Sequence, residues 1–236
     1  MFEIHKVNSL GKADYGWLKP RYHFSFANYY NPNKMGVGPL RVLNDDLINP
    51  GTGFDTHPHK DMEIISYIIN GEITHKDSMG NARNVSRGSM QYMSAGTGVT
   101  HSEYNHGKDV LRIIQLWIRP TENNLTPNYG DIEFTKEDRH NTLLHLVSSA
   151  ENKGKIKIYQ DANIFVSEVD KGHIQEFKIG DYDYIYYVQL EGEALINLNK
   201  LEEGDALTTS ESLLIEPLTD SHFLIVQVRK WYKKGI

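Results

Sequence analysis

His57-Pro58-His59 is followed 42 residues later by His101-Ser102-Glu103. Three imidazoles and a carboxylate, carried in pairs on two short segments, make the donor set of an open-sided transition-metal site. Residues i and i+2 of a strand project from the same face. His57 and His59 can therefore point together, and so can His101 and Glu103. On neighbouring strands inside a barrel, the four side chains would converge. Such donors suit Fe(II), Ni, Co, Cu, Mn or Zn. A closed structural zinc site is more often built from thiolates, and the chain has no cysteine.

The elements that must carry these residues read as strands. Met62 to Ile69 is rich in β-branched and aromatic residues and ends at Asn70-Gly71. That dipeptide between apolar runs predicts a hairpin, with Glu72 to Lys76 as the return strand. Turns follow at Ser78-Met79-Gly80-Asn81, Arg87-Gly88-Ser89 and Gly96-Thr97-Gly98, the last just before His101. Val110 to Ile118 is a nearly unbroken apolar strand. Asn123 to Gly130 reads as a polar connection, and Thr135-Lys136-Glu137-Asp138 as the start of one short helix. Strand patterns resume at Ile156–Ile158, Ile164–Val166, Tyr184–Leu190, Ala194–Leu198, Leu213–Ile215 and Phe223–Val228. Turns at this density predict an antiparallel sandwich or barrel.

A faint repeat divides the chain. Ile69-Asn70-Gly71-Glu72 resembles Leu190-Glu191-Gly192-Glu193, and Arg87-Gly88-Ser89 resembles Glu203-Gly204-Asp205, at offsets of 121 and 116 residues. With the strand density, this predicts two similar β-barrels in tandem, residues 1–125 and 126–236. The second copy has no His-x-His, so the metal site is expected in the first barrel alone.

Composition narrows the function classes. The chain has 236 residues, 25 basic and 31 acidic, which is no nucleic-acid footprint. No apolar run is long enough to span a bilayer, and the N-terminal residues lack the apolar stretch of a signal peptide. A cytoplasmic protein is the expectation. The basic end Arg229-Lys230-Trp231-Tyr232-Lys233-Lys234 reads as solvated.

The motif Gly51-x5-His57-x-His59-x3-Glu63-x7-Gly71, with Gly88 and then Gly98-x2-His101-x3-Asn105, resembles the two signature motifs of the cupin superfamily. It departs where Gly96 stands in place of the proline expected two residues before Gly98. Further segments resemble the pirin family of bicupins: Ala13 to Leu18, His23 to Tyr30, Gly38 to Asp46, Thr56 to Glu63 and Ala95 to Glu103. The resemblance is dense from residue 11 to about 120 and loose beyond. It implies an all-β fold of two tandem jelly-roll-like cupin barrels with one or two short helices. It implies metal ligands at His57, His59, His101 and Glu103, the four that spacing singles out, with Fe(II) the first expectation.

The resemblance also implies an activity like that of bacterial quercetin 2,3-dioxygenases. On that reading the metal would acidify a flavonol hydroxyl, Glu103 or a rearranged carboxylate nearby would take its proton, and the flavonolate would react with O2 and lose carbon monoxide. The alternative is a metal-binding regulatory module without turnover, since animal pirins look like nuclear cofactors that contact transcription factors. Glu63 is expected to be a supporting or structural group. Gln115 could face inward or toward solvent. His75 and His106 read as ordinary polar residues, and Asn44-Asp45-Asp46 as a turn. Core packing is the expected role of Phe24, Phe26, Tyr29 and Tyr30, with a pocket mouth as the alternative.

Overall fold

The computed structural model describes residues 1–149 and 153–231; Tyr232, Lys233 and Lys234 of the basic end lie outside them. Strands dominate. One α-helical turn, Lys136–Arg139, and one 3-10 turn, Val7–Ser9, are the helical elements among the described residues. The α-turn starts where the Thr135 signature predicts it. Asp138 N–H donates to the Thr135 side chain, and the Asp138 carboxylate accepts from Thr135 N–H, a reciprocal cap.

Each half consists of a seven-stranded and a four-stranded sheet. The expected jelly-roll-like units are thus pairs of sheets that do not close into a barrel, since among the described residues no ladder of hydrogen bonds joins the two sheets of a pair. Ile48, Ile68, Ile73, Leu111 and Ile113 fill the first half's interior. Phe177, Tyr187, Ile196, Ile215 and Phe223 fill the second's. The largest core lies between the halves, where Leu43, Ile65, Tyr67 and Leu116 meet Val166, Tyr186, Leu224 and Val226. The seven-stranded sheets therefore pack back to back. Strand Leu111–Ile118 shows why its sequence is nearly unbroken apolar: Ile114, Leu116 and Ile118 enter the core between the halves, while Leu111 and Ile113 enter the first half's own.

Asn70-Gly71 is a corner, not the predicted hairpin. Glu63–Asn70 pairs with Met90–Ser94 and Leu111–Ile118, whereas Glu72–Asp77 pairs with Val99–Asn105 and Ala82–Ser86 in the other sheet. A type I′ hairpin needs positive φ at both turn residues, and only Gly71, at φ 79°, has it. The same corner recurs at Gly192, where Tyr184–Glu191 leaves the second large sheet and Ala194–Ile196 enters the small one. Gly88 and Gly204 occupy the matching return corners. The glycine repeat thus marks equivalent points of two similar topologies.

Two strands cross the division expected at 125/126. Phe2–His5 pairs with Ala206–Thr209, and Asn128–Ile132 pairs with Met90–Ser94. The second lies in what reads as a polar connection; sheet pairing overrides the weak strand preference of Asn128, Gly130 and Asp131. Asn44-Asp45-Asp46 is likewise no turn but the middle of strand Leu40–Ile48. Arg21 and Arg112 neutralise the buried Asp45.

Candidate metal centre

Strands Thr52–His59 and Val99–Asn105 lie side by side, with His57 directly opposite His101. The register then slips: Glu103 faces Phe54, so the first strand carries one extra residue between Phe54 and His57. This bulge lets Phe54, His57 and His59 all line one cavity. It also brings the Asp55 carbonyl to 2.7 Å from His57 Nδ1. With Nδ1–H donated there, His57 Nε2 presents its lone pair, the usual way a ligand imidazole is oriented.

His57 Nε2 and His101 Nε2 are 3.1 Å apart, and the rings of His57, His59 and His101 lie 4.5–4.9 Å from one another. Imidazole–metal bonds run about 2.0–2.1 Å, so one ion can span the Nε2 pair. The ligating atoms of all three histidines fall within 4.8 Å. The residues present therefore fit a divalent transition metal. Glu103 lines the same cavity, and its carboxylate falls within 4.8 Å of ligand atoms of His101 and His75.

The layer behind the histidines is polar and buried. Gln91 Nε2 donates to Glu103 Oε1 at 2.6 Å, and Gln115 Nε2 donates to Oε2 at 2.8 Å. Gln115 thus faces inward. Tyr129, on the strand reaching over from residues 128–132, donates to Gln91 Oε1 and stacks on His75. His75 is no ordinary polar residue: it is 1% exposed, bonded to Asp77, and its ring centre is 5.3 Å from that of His101. Its place at i+2 from Ile73, on the inner face, is the signal that could have found it. Glu63 belongs elsewhere. It shares the face of Ile65 and Tyr67 toward the second half, where Ser94 donates to it. Burial pushes its carboxyl up to about 7.

The cavity measures about 250 Å³ and is apolar on most of its wall, with Leu18, Pro20, Tyr22, Phe26, Phe54 and Trp117. Trp117 meets His59 edge-on at 4.8 Å and donates to Gln115 Oε1; it shares Gln115's face of the strand. Asn44 and Asp46 add polar lining, and each keeps a buried oxygen with no hydrogen-bond partner. Of the four aromatics expected in the core, only Phe24 joins it. Phe26 lines the cavity, and Phe26, Tyr29 and Tyr30 line an adjoining groove. His106 is exposed, stacked on Tyr104.

Electrostatics suit ligation. Burial, reinforced by neighbouring imidazoles, drives His59 down to about 4 and His101 down to about 2. Both are neutral at physiological pH, as metal ligands must be. Burial pushes the Glu103 carboxyl up to about 7, against the hydrogen bonds from Gln115 and Gln91. Burial, with Asp45 and Glu103 nearby, holds Asp46 well above the usual carboxylate range.

Residues 3–118 match the Pirin family, and residues 145–228 match the quercetinase C-terminal cupin domain. A quercetin 2,3-dioxygenase of Escherichia coli (strain K12) is 39% identical over 228 residues, 95% of this chain and 97% of that protein. A pirin-like protein of Caulobacter vibrioides is 38% identical over 229 residues, 96% and 99% of the two chains. The crystal structure of the bacterial pirin YhhW from Escherichia coli in complex with nickel(II) superposes with a TM-score of 0.91, at 37% identity, over 98% of this chain and 100% of that one.

Proposed function

The chain belongs to the pirin family of bicupins, and on that premise we propose that it is a metal-dependent dioxygenase that cleaves a flavonol-like aromatic with O2. The observation that carries this reading is the convergence of His57, His59 and His101 beside an apolar cavity that His57, His59 and Glu103 line. The proposed ligands are these three imidazoles with Glu103, and the proposed metal is Fe(II). Nickel, held by the YhhW structure, is the comparison. The proposed location is the cytoplasm.

When bound, a divalent metal supplies a Lewis acid that lowers the pKa of a hydroxyl placed against it. The protein's own groups do the rest. The rings of Phe26, Phe54 and Trp117 give a planar substrate an apolar wall to lie against. Glu103, whose burial raises its proton affinity, accepts the hydroxyl proton on a carboxylate oxygen. Gln91 and Gln115 fix the carboxylate's orientation through both oxygens. The resulting flavonolate is electron-rich enough for dioxygen to add and for the heterocycle to open with loss of carbon monoxide.

The test is oxygen uptake and carbon monoxide release with quercetin, on protein loaded anaerobically with Fe(II) and, in parallel, with Cu, Mn, Co or Ni. Uptake matched by carbon monoxide with at least one metal is expected. No turnover with any of them would shift the reading to a metal-binding regulatory module.

A further inference from the structure

Beside the metal cavity lies a second, more open groove of about 400 Å³, lined by Phe26, Tyr29, Tyr30 and Trp117 together with Arg41 and Arg119. Phe26 and Trp117 also line the metal cavity, where their rings meet edge-on at 5.2 Å. The two spaces therefore share a wall.

The two arginines stand apart from the rest. The chain has eight. Arg21 and Arg112 pair with Asp45, Arg83 with Asp131, Arg87 with Glu168 and Glu191, Arg139 with Glu168, and Arg229 with Asp161. Among the described residues, Arg41 and Arg119 form no ion pair with a carboxylate. In a chain of net charge −6, these two guanidiniums, without a carboxylate partner among the described residues, thus sit in one groove. Each is there for a structural reason. Trp117 is opposite Val42 and Ile118 is opposite Leu40, so Arg41 is the extra residue of a bulge, a device that re-aims a side chain. Its guanidinium is held by the Ser25 carbonyl at 2.7 Å. Arg119 follows the strand end and donates its backbone N–H to Pro39, and its guanidinium lies 4.8 Å over the Trp231 ring. Burial and the charge of Arg41 hold Arg119 below the usual arginine value. Positive charge between aromatic walls, with no carboxylate partner among the described residues, is what an aromatic ligand bearing an oxyanion would neutralise.

We propose that this groove binds the oxyanion of an aromatic ligand whose ring occupies the metal cavity past Phe26 and Trp117, so that the natural substrate is an anionic aromatic such as a carboxylate or sulfate ester. The proposal rests on the metal cavity being a substrate site. It makes Arg41 and Arg119 specificity-determining residues rather than catalytic ones.

Anaerobic calorimetric titration tests it without requiring turnover. The ligands are quercetin, quercetin 3′-sulfate, and benzoate and 4-nitrophenyl sulfate as oxyanions outside the flavonol class. The expected result is that quercetin 3′-sulfate binds on the order of tenfold tighter than quercetin, the size of a charge-assisted contact. Arg119→Met and Arg41→Met should each collapse that ratio, and high salt should shrink it. If Arg41→Met fails to fold because Ser25 loses its partner, Arg119→Met and Arg41→Lys carry the test. Arginine-dependent binding of benzoate or 4-nitrophenyl sulfate while quercetin fails to bind would keep the oxyanion groove and sink the flavonol reading. A preference for the sulfate that is missing, or that survives both substitutions, would overturn the groove even if quercetin is turned over.

Discussion

At the scale of single residues, the site depends on burial setting protonation. Ordinary histidines would compete for protons near pH 6.5; here burial keeps His59 neutral to about 4 and His101 to about 2. Glu103 moves the other way, to about 7. Its folded pKa lies above its unfolded one, so the folded state binds the extra proton, and metal-free stability is lost as pH rises from about 4.5 through 7. Replacing Glu103 by Gln removes that penalty. The metal-free Glu103→Gln protein should therefore gain more in unfolding free energy, relative to wild type, at pH 8 than at pH 5, by on the order of 2 kcal/mol as measured by urea unfolding. The metal-loaded variant should turn over at least 100-fold more slowly, since the proton acceptor is gone. An equal shift at both pH values would mean that Glu103 ionises as it would in water.

At the scale of elements, the site is assembled by strand register. Alternation alone was enough to bring His57, His59 and His101 onto inner faces, because strict period-2 patterning is legible from one chain. The bulge that adds Phe54 to the same wall was not legible, since it depends on a partner strand 44 residues away. His75, Gln91 and Trp117 were missed for a similar reason: each is inward by parity, yet parity shows a face and not its neighbours. The Asn-Gly signal misled because corner and hairpin place similar demands on glycine locally and differ only in which strand receives the chain. Gly96, where the motif would have proline, is explained by crowding: a Cβ there would lie 2.0 Å from the Leu125 carbonyl oxygen.

Alanine substitutions at three positive-φ glycines should separate backbone strain from contact. At Gly51 an added Cβ meets nothing, at Gly71 it meets Leu111 Cα at 3.0 Å, and at Gly192 it meets the Asp220 carbonyl oxygen at 2.2 Å. Destabilisation measured by urea should rise in that order, starting from about 1 kcal/mol for the positive φ alone. A Gly192→Ala protein no less stable than Gly51→Ala would show that this corner is not tightly packed.

At the scale of the whole molecule, the halves share a core, an exchanged N-terminal strand and polar links. Tyr67 bonds His222, Tyr186 bonds His23, and Arg112 joins Asp45 to Glu203. The sequence repeat correctly suggested two related units but gave no hint that their large sheets pack back to back, since both faces of a doubly buried strand look alike in composition. One consequence is cooperative unfolding. Calorimetry of the full chain should show a single transition, and Leu116→Ala, made in the first half, should move that one transition down for both halves, with a stability loss of about 2–5 kcal/mol. A fragment of residues 1–125 should aggregate, because Leu43, Ile65, Tyr67 and Leu116 would face water. Two separate transitions, only one of them moved by Leu116→Ala, would show that the halves are independent.

The central claim is that His57, His59 and His101 form one metal site that serves the cavity beside it. The most direct test is metal per chain by elemental analysis after loading and dialysis, for wild type and for the His57→Ala/His59→Ala double variant, with circular dichroism confirming that both are folded. One metal per chain in wild type and close to none in the folded variant is the predicted result. A folded variant that still holds one metal per chain would place the metal elsewhere and contradict the assignment.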